Sequence, residues 1–341
     1  AGWAQRAAPL RCLTCTASFV TVDTIAMAAT LAGSSPRRSS IFSRLRSSFE
    51  LRYYALAVTL TTYALIVLGG TVRATDSGEA CPDWPLCHGN IIPPMETKVW
   101  IEFSHRLLAS IVGFLIAGLV YATWRRRHED GVLWRAGLLT GVLVLIQVGV
   151  GGVTVGSGTA AGVVAIHLSI ALTLLTTLIF ITSRLFRTRA LPLVRLEALP
   201  VLVLAGVFAL IITGAFVSQK HAGLAYPDWP LFDGKLTPAR STVGELHYLH
   251  RVVASVVGLL FFALLFVSLR SQPARGVVWG LSAATVLFIA QALLGAANVW
   301  LELATSVRIL HLALASAVWG VLVFTMAWAY QNGLRLTKGI S

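Results

Sequence analysis

Charge is scarce in this sequence. Asp, Glu, Lys and Arg make up 12% of its 341 residues, where a soluble domain carries about 25%. That shortage argues against a water-soluble globular protein. Also missing are the short alternating strands of a transmembrane barrel, so the backbone must satisfy its hydrogen bonds within helices. The charge that exists is one-sided, +13 overall. No basic face with interleaved aromatics accompanies it, so nucleic acid is not expected as a partner. Cysteine is rare, with four in the chain. Cys12 and Cys15 form a CxxC without a second pair, which argues against a metal or redox centre there. What is present is apolar sequence, 56% of the chain, in long runs separated by short polar joints. This is the pattern of a polytopic helical membrane protein, with the lipid bilayer as its first partner.

Eight runs have the length to cross a bilayer, at 53–72, 100–123, 136–155, 161–183, 199–218, 244–269, 277–298 and 306–329. One set of joints collects arginine: Arg125, Arg126, Arg127 and Arg135, then Arg184, Arg187, Arg189 and Arg195, then Arg270 and Arg275, then Arg335 with Lys338. The positive-inside rule puts these joints and both termini in the cytoplasm, or in a mitochondrial matrix. The long loops 73–99 and 219–243 then face outward. Trp100, Trp124, Trp134 and Trp300 mark span ends, as interfacial aromatics do. Residues 1–50 differ, being rich in Arg, Ser and Ala. They read either as an organellar transit peptide or as sequence upstream of a start at Met27, and in both cases lie outside the functional core.

Two stretches recur. "CPDWPLCHG" at 81–89 returns as "YPDWPLFDG" at 226–234. Shifting the chain by 145 residues lays 81–116 on 226–261 with 15 identities, among them His105 on His250 and Arg106 on Arg251. A shift of 144 lays Gln147 on Gln291 and His167 on His311. The expected fold is therefore an all-α integral membrane protein of eight transmembrane helices. It is built as two pseudo-symmetric four-helix bundles, 51–190 and 191–341, in a parallel repeat.

Four histidines sit at one depth. His105 and His167 lie five or six residues inside the outer ends of spans 2 and 4, roughly 6–10 Å down; His250 and His311 repeat this in spans 6 and 8. An ionisable residue inside a span marks function by default. Two imidazoles on two helices can clamp a haem iron. The plainer reading, hydrogen bonding to a neighbouring helix, suits one such histidine better than two matched pairs. Zinc fits less well, since no cysteine lies at that depth. Gly149, Gly151 and Gly152 would let a helix or a flat ring approach. Gln147 and Gln291 could reach a porphyrin edge or bond between helices. Arg106 and Arg251 could pair with haem propionates or snorkel to the interface.

The halves differ at two places. Glu102 lies one turn above His105, where the second half has His247 above His250. A carboxylate there could take a proton or stabilise positive charge. His247 reads as a neighbour of the ligand and also as a rival to His250. Cys81 and Cys87 give way to Tyr226 and Phe232. The pair could be a structural disulfide, a redox-active one, or with His88 part of a metal site.

These stretches together resemble the haem A synthase family: "LGGTVRATDSG" (68–78), "CPDWPLCHG" (81–89), "EFSHR" (102–106), "HLS" (167–169), "PDWPLFDGKLTP" (227–238), "HYLHR" (247–251) and "RILHLALA" (308–315). The resemblance implies a membrane enzyme that oxidises a ring methyl of haem O to the formyl group of haem A. It implies a resident haem b between His250 and His311, with substrate haem O between His105 and His167. It makes Glu102 the catalytic carboxylate and Cys81–Cys87 a redox-active disulfide of a bacterial class. Haem O synthase is then an expected partner, and assembly as a homo-oligomer stays open. The cysteine pair points to a bacterial plasma membrane, and the basic N-terminal segment to a mitochondrial inner membrane. The competing function is a di-haem cytochrome b that carries electrons from quinol and keeps both haems.

Overall fold

A computed structural model describes residues 36–187, 197–237, 242–271 and 274–336, with side chains described from Glu50 onward except at Thr242. Cys12, Cys15 and Met27 lie outside the described residues. The chain divides into two units, Ala1–Phe49 and Glu50–Ser341.

Among the described residues the fold is all helical: α1 (Pro36–Ala74), α2 (Thr97–Arg125), α3 (Gly131–Gly156), α4 (Ala161–Phe186), α5 (Ala198–Gln219), α6 (Thr242–Ser271), α7 (Arg275–Trp300) and α8 (Thr305–Gln331). All eight are long and apolar enough to cross a membrane, α1 from Glu50 onward. Each expected span falls inside one of them. The protein is a multi-pass membrane protein.

The helices of the second unit pack in chain order within each half, α2 on α3 on α4 and α5 on α6 on α7 on α8, while α4 meets α5 and α8. The α4–α8 seam carries much of the buried core, with Leu172, Leu175 and Ile179 among Trp319, Leu322 and Met326. Lipid is as apolar as leucine, so burying leucine against leucine gives a membrane seam little direction. Hydrogen bonds supply it. Trp319 Nε1 donates to the Leu172 carbonyl at 3.2 Å and to Thr176 Oγ1 at 3.1 Å. Gln331 Nε2 donates to Ser183 Oγ at 2.8 Å; between α1 and α4, the Thr59 and Thr182 hydroxyls meet at 2.9 Å.

The recurring loops fold alike because one aspartate organises each. Asp83 accepts from the His88 and Gly89 N–H groups at 2.6 and 2.8 Å. Asp228 does the same with Asp233 and Gly234 at 2.7 and 2.8 Å. Both turns place two successive residues at positive φ, with glycine second (φ 68° and 73°), where a Cβ would be strained. The Gly89 N–H is the main influence that holds the Asp83 carboxyl below its ordinary range, and Gly234 does this for Asp228.

On the opposite side, Asp130 caps α3 through the Leu133 N–H at 3.0 Å. It also takes a two-bond fork from Arg184 at the end of α4, both at 2.7 Å. Burial is the largest single influence and opposes ionisation of Asp130, but the Arg184 fork, the Leu133 N–H and the nearby Arg187 charge together outweigh it and hold the carboxyl below its usual range. A depressed carboxyl contributes stability that is complete above its unfolded value, about 3.9. That contribution fades as pH falls through the lower folded value. Asp130→Asn should therefore cost roughly 2–3 kcal/mol at neutral pH, because the Arg184 side chain is only 8% exposed. Thermal melts in detergent from pH 7 to pH 3 check this: the variant should start lower and lose less on acidification than the parent.

Candidate functional site

A cavity of about 2060 Å³ holds the chemistry. Ordinary single-ligand pockets measure about 300–1,000 Å³, so it has room for more than one large ligand. His105, His167, His250 and His311 all line it. His105 lies within electrostatic reach of His167, and His250 of His311.

Each of the four rings leans on a glycine of the preceding helix. A Cβ on Gly69 of α1 would stand 3.0 Å from His105 Cε1, and one on Gly214 of α5 would stand 3.0 Å from His250 Cε1. Gly151 of α3 faces His167 at 3.4 Å, and Gly295 of α7 faces His311 at 3.3 Å. The rings are seated edge-on against bare backbone, which fixes their rotation. Nδ1 of His105, His167 and His311 is buried without a hydrogen bond of its own. His250 Nδ1 has a partner: Thr213 Oγ1 gives its proton to the Leu210 carbonyl and is left to accept from the ring at 3.1 Å. With Nδ1 turned into the wall, Nε2 is the nitrogen each ring offers the cavity. A pair of imidazoles per half beside an apolar slot has the chemistry of a donor set that a six-coordinate haem iron can use.

Gln147 and Gln291 line the same cavity, each with a buried Oε1 that has no partner. They are therefore available to a ligand at a ring edge. Of the three glycines singled out on α3, Gly151 seats His167, a Cβ on Gly152 would stand 3.4 Å from the Trp84 ring, and nothing lies within 4 Å of one on Gly149.

The arginines beside the histidines work for the loops. Arg106 Nη1 donates to the Asp83 and Leu86 carbonyls, both at 2.6 Å. Its Nη2 donates to the Cys81 carbonyl at 3.0 Å and to Glu102 Oε1 at 2.6 Å. Glu102 is only 4% exposed, and its Oε2 accepts from the Cys81 N–H at 2.9 Å. Cys81 and Cys87 form a disulfide, with both residues fully buried. His88 Nε2 turns away to the Ala80 carbonyl at 2.9 Å. So Glu102, Arg106 and the disulfide form one assembly, and Glu102 reaches the cavity from it.

The second half keeps the scaffold and changes the chemistry. Arg251 donates to the Leu231 carbonyl at 2.8 Å, and its Nε donates to His247 Nε2 at 3.0 Å. That bond uses the Nε2 lone pair of His247, leaving His250 as the imidazole free for a metal. Tyr226 and Phe232 stand edge to face at 5.2 Å where the first half has its disulfide.

Arg106 and Arg251 also line the cavity, and three further cations that sequence reasoning did not assign to the site line it with them. Arg73 donates to Asp76 and to the Ser218 carbonyl, both at 2.9 Å. Arg308 donates to the Ala74 carbonyl at 3.0 Å. The two lie within electrostatic reach of each other and line the cavity, as does Lys220. The 145-residue shift puts Ser218 under Arg73. An arginine present in only one half of a repeat was the available signal.

Comparison with known proteins agrees with this site. The family model for COX15-CtaA, cytochrome oxidase assembly protein, matches residues 52–98 and 94–323. The chain is 30% identical to a heme A synthase of Exiguobacterium sp. over 84% of its own length and 95% of the relative's. It is 31% identical to that of Exiguobacterium sibiricum over 83% and 96%, and 28% identical to that of Geobacillus thermodenitrificans over 84% and 93%. With most of its length matched and the histidine-lined cavity inside the matched region, the chain belongs to the COX15-CtaA family of cytochrome oxidase assembly proteins.

Proposed function

We propose that this protein is a haem A synthase of a bacterial plasma membrane, oxidising a ring methyl of haem O to a formyl group. The observation that carries the reading is the asymmetry between two matched sites. Both offer a pair of Nε2 atoms to the cavity, and only the first has a buried carboxylate and a disulfide beside it. One site is equipped for chemistry and the other for holding a group in place. His250 and His311 would hold the resident haem b, which when bound supplies electron transfer next to the substrate. His105 and His167 would hold haem O by its iron and so fix which ring edge meets Glu102.

Glu102 is the catalytic residue in this reading. Methyl-to-formyl oxidation replaces two C–H bonds with one C=O bond; written with water as the oxygen donor, it releases four protons and passes four electrons to an external electron acceptor. Positive charge that develops at the ring edge is stabilised by a carboxylate whose geometry is already set, without solvent reorganisation. Arg106 and the Cys81 N–H perform that setting, and the lone pairs they leave can accept a proton. The disulfide closes the loop that carries the Cys81 N–H, so its state bears directly on the Glu102 carboxylate. In the second half His247 fills the same place and anchors Arg251. The bacterial relatives and the supply of haem O by a haem O synthase complete the setting.

Two experiments test this reading. Glu102→Gln, expressed in a host that makes haem O, should lower extractable haem A at least about a hundredfold, with haem O accumulating and haem b unchanged. Two haem b per chain in the parent, untouched by the substitution, would make the protein a di-haem electron carrier instead. Gly214→Val should lower haem b content several-fold by displacing His250, and Gly69→Val should do so for haem O alone. Haem extraction with chromatographic separation reads all three variants.

A further inference from the structure

The halves also differ in depth. In the second half the cavity wall ends at Gly258 on α6 and at Phe288 on α7. Phe288 closes it. The Phe288 ring stacks on Phe261 with centroids 4.8 Å apart, and it lies 3.1 Å from where a Cβ on Gly258 would stand. The first half has Gly113, Ile116 and Val144 at the matching positions, and nothing lies within 4 Å of a Cβ built on Gly113. Its wall continues past Ile116 and Ala117 to Val120 on α2, and through Gly141 to Leu138 on α3, with a floor where Val120 stands 3.2 Å from the position of a Cβ on Gly141. Six or seven further residues on each helix make a cleft about 10 Å long. Its lining is apolar, while the charged residues Arg73, Glu79 and Glu102 line other parts of the same cavity. Phe114 and Leu145 line it and are 81% and 73% exposed, so it opens sideways into the surrounding apolar phase. The span of α3 is correspondingly the least buried of the eight, at 6%.

We propose that the cleft between α2 and α3 seats the isoprenoid tail of the substrate haem and admits it from the bilayer. This rests on haem O being the substrate of the first site. Haem O carries a long apolar chain where haem b carries a vinyl group. A slot stopped by Phe288 accepts the ring without the chain. A slot that runs on past Gly113 accepts both. The cleft is continuous with the ring site and joins it below the histidines, so one molecule can fill the two together. A bilayer acyl chain has the same surface chemistry and is the competing occupant.

The test uses the full chain in detergent with its resident haem retained, titrated separately with haem O and with haem b. Gly113→Leu and Val144→Phe put side chains into the cleft without touching the histidines. The parent should bind haem O about tenfold or more tighter than haem b at the first site. Each variant should lose about that factor for haem O while haem b binding stays the same, since one misplaced side chain costs roughly a tenfold change in affinity. An unchanged preference for haem O, with the cleft left to lipid, overturns the inference. So does equal weakening of both haems. If the parent binds neither haem at the first site, the functional reading falls as well. If it binds both equally, that reading stands and the tail seat does not.

Discussion

The structure depends on how an imidazole is held inside an apolar helix. An intramembrane histidine is costly unless its polar atoms have work to do. Here four rings are pressed edge-on against glycines of the preceding helices, at approaches of 3.0–3.4 Å for an added Cβ. That contact meets Cε1 of each ring, while Nδ1 of His105, His167 and His311 is buried without a partner. The glycines set the spacing of α1 to α2, α3 to α4, α5 to α6 and α7 to α8. Helix packing and ligand geometry are therefore one constraint. The hydrogen-bonded α4–α8 seam holds the same bundle together.

On that shared frame, few substitutions divide the labour. Arg106 and Arg251 each gather loop carbonyls 20–25 residues upstream, so each of the two recurring loops is drawn down onto its helix. The residue one turn back on the helix then decides the local chemistry. A glutamate under a disulfide is a hydrogen-bond acceptor held in place by Arg106 and the Cys81 N–H. An imidazole among Tyr226 and Phe232 completes an aromatic cluster. Exchanging Ile116 and Val144 for the Phe261–Phe288 stack closes the cavity in the second half. The buried carboxylate, the disulfide and the longer cleft thus fall in the same half.

Much of this was legible in the sequence, for physical reasons that also mark the limit. Apolar runs of bilayer length declare helices, and polar residues inside them declare themselves by their cost, so the eight spans, the four histidines and Glu102 could be read directly. Gly69 and Gly214 could not, because a glycine in an apolar helix looks the same whether it packs on a helix or on a ring. Arg106 sits beside His105 in sequence, which suggested a propionate partner or an interfacial side chain, and it does line the cavity. Its carbonyl partners on the loop depend on a fold that spacing does not encode. Arg73 and Arg308 bond across to α5 and α1, and only the comparison of one half with the other marks them.

The most direct measurement is the haem content and low-spin EPR signal of the purified protein with each histidine pair removed in turn. The account predicts that His250→Ala or His311→Ala abolishes the resident bis-imidazole haem b. It predicts that His105→Ala or His167→Ala leaves that haem in place and removes bound haem O. Loss of haem b from the first-half variants, or its survival in both second-half variants, would contradict the assignment of one site to each haem.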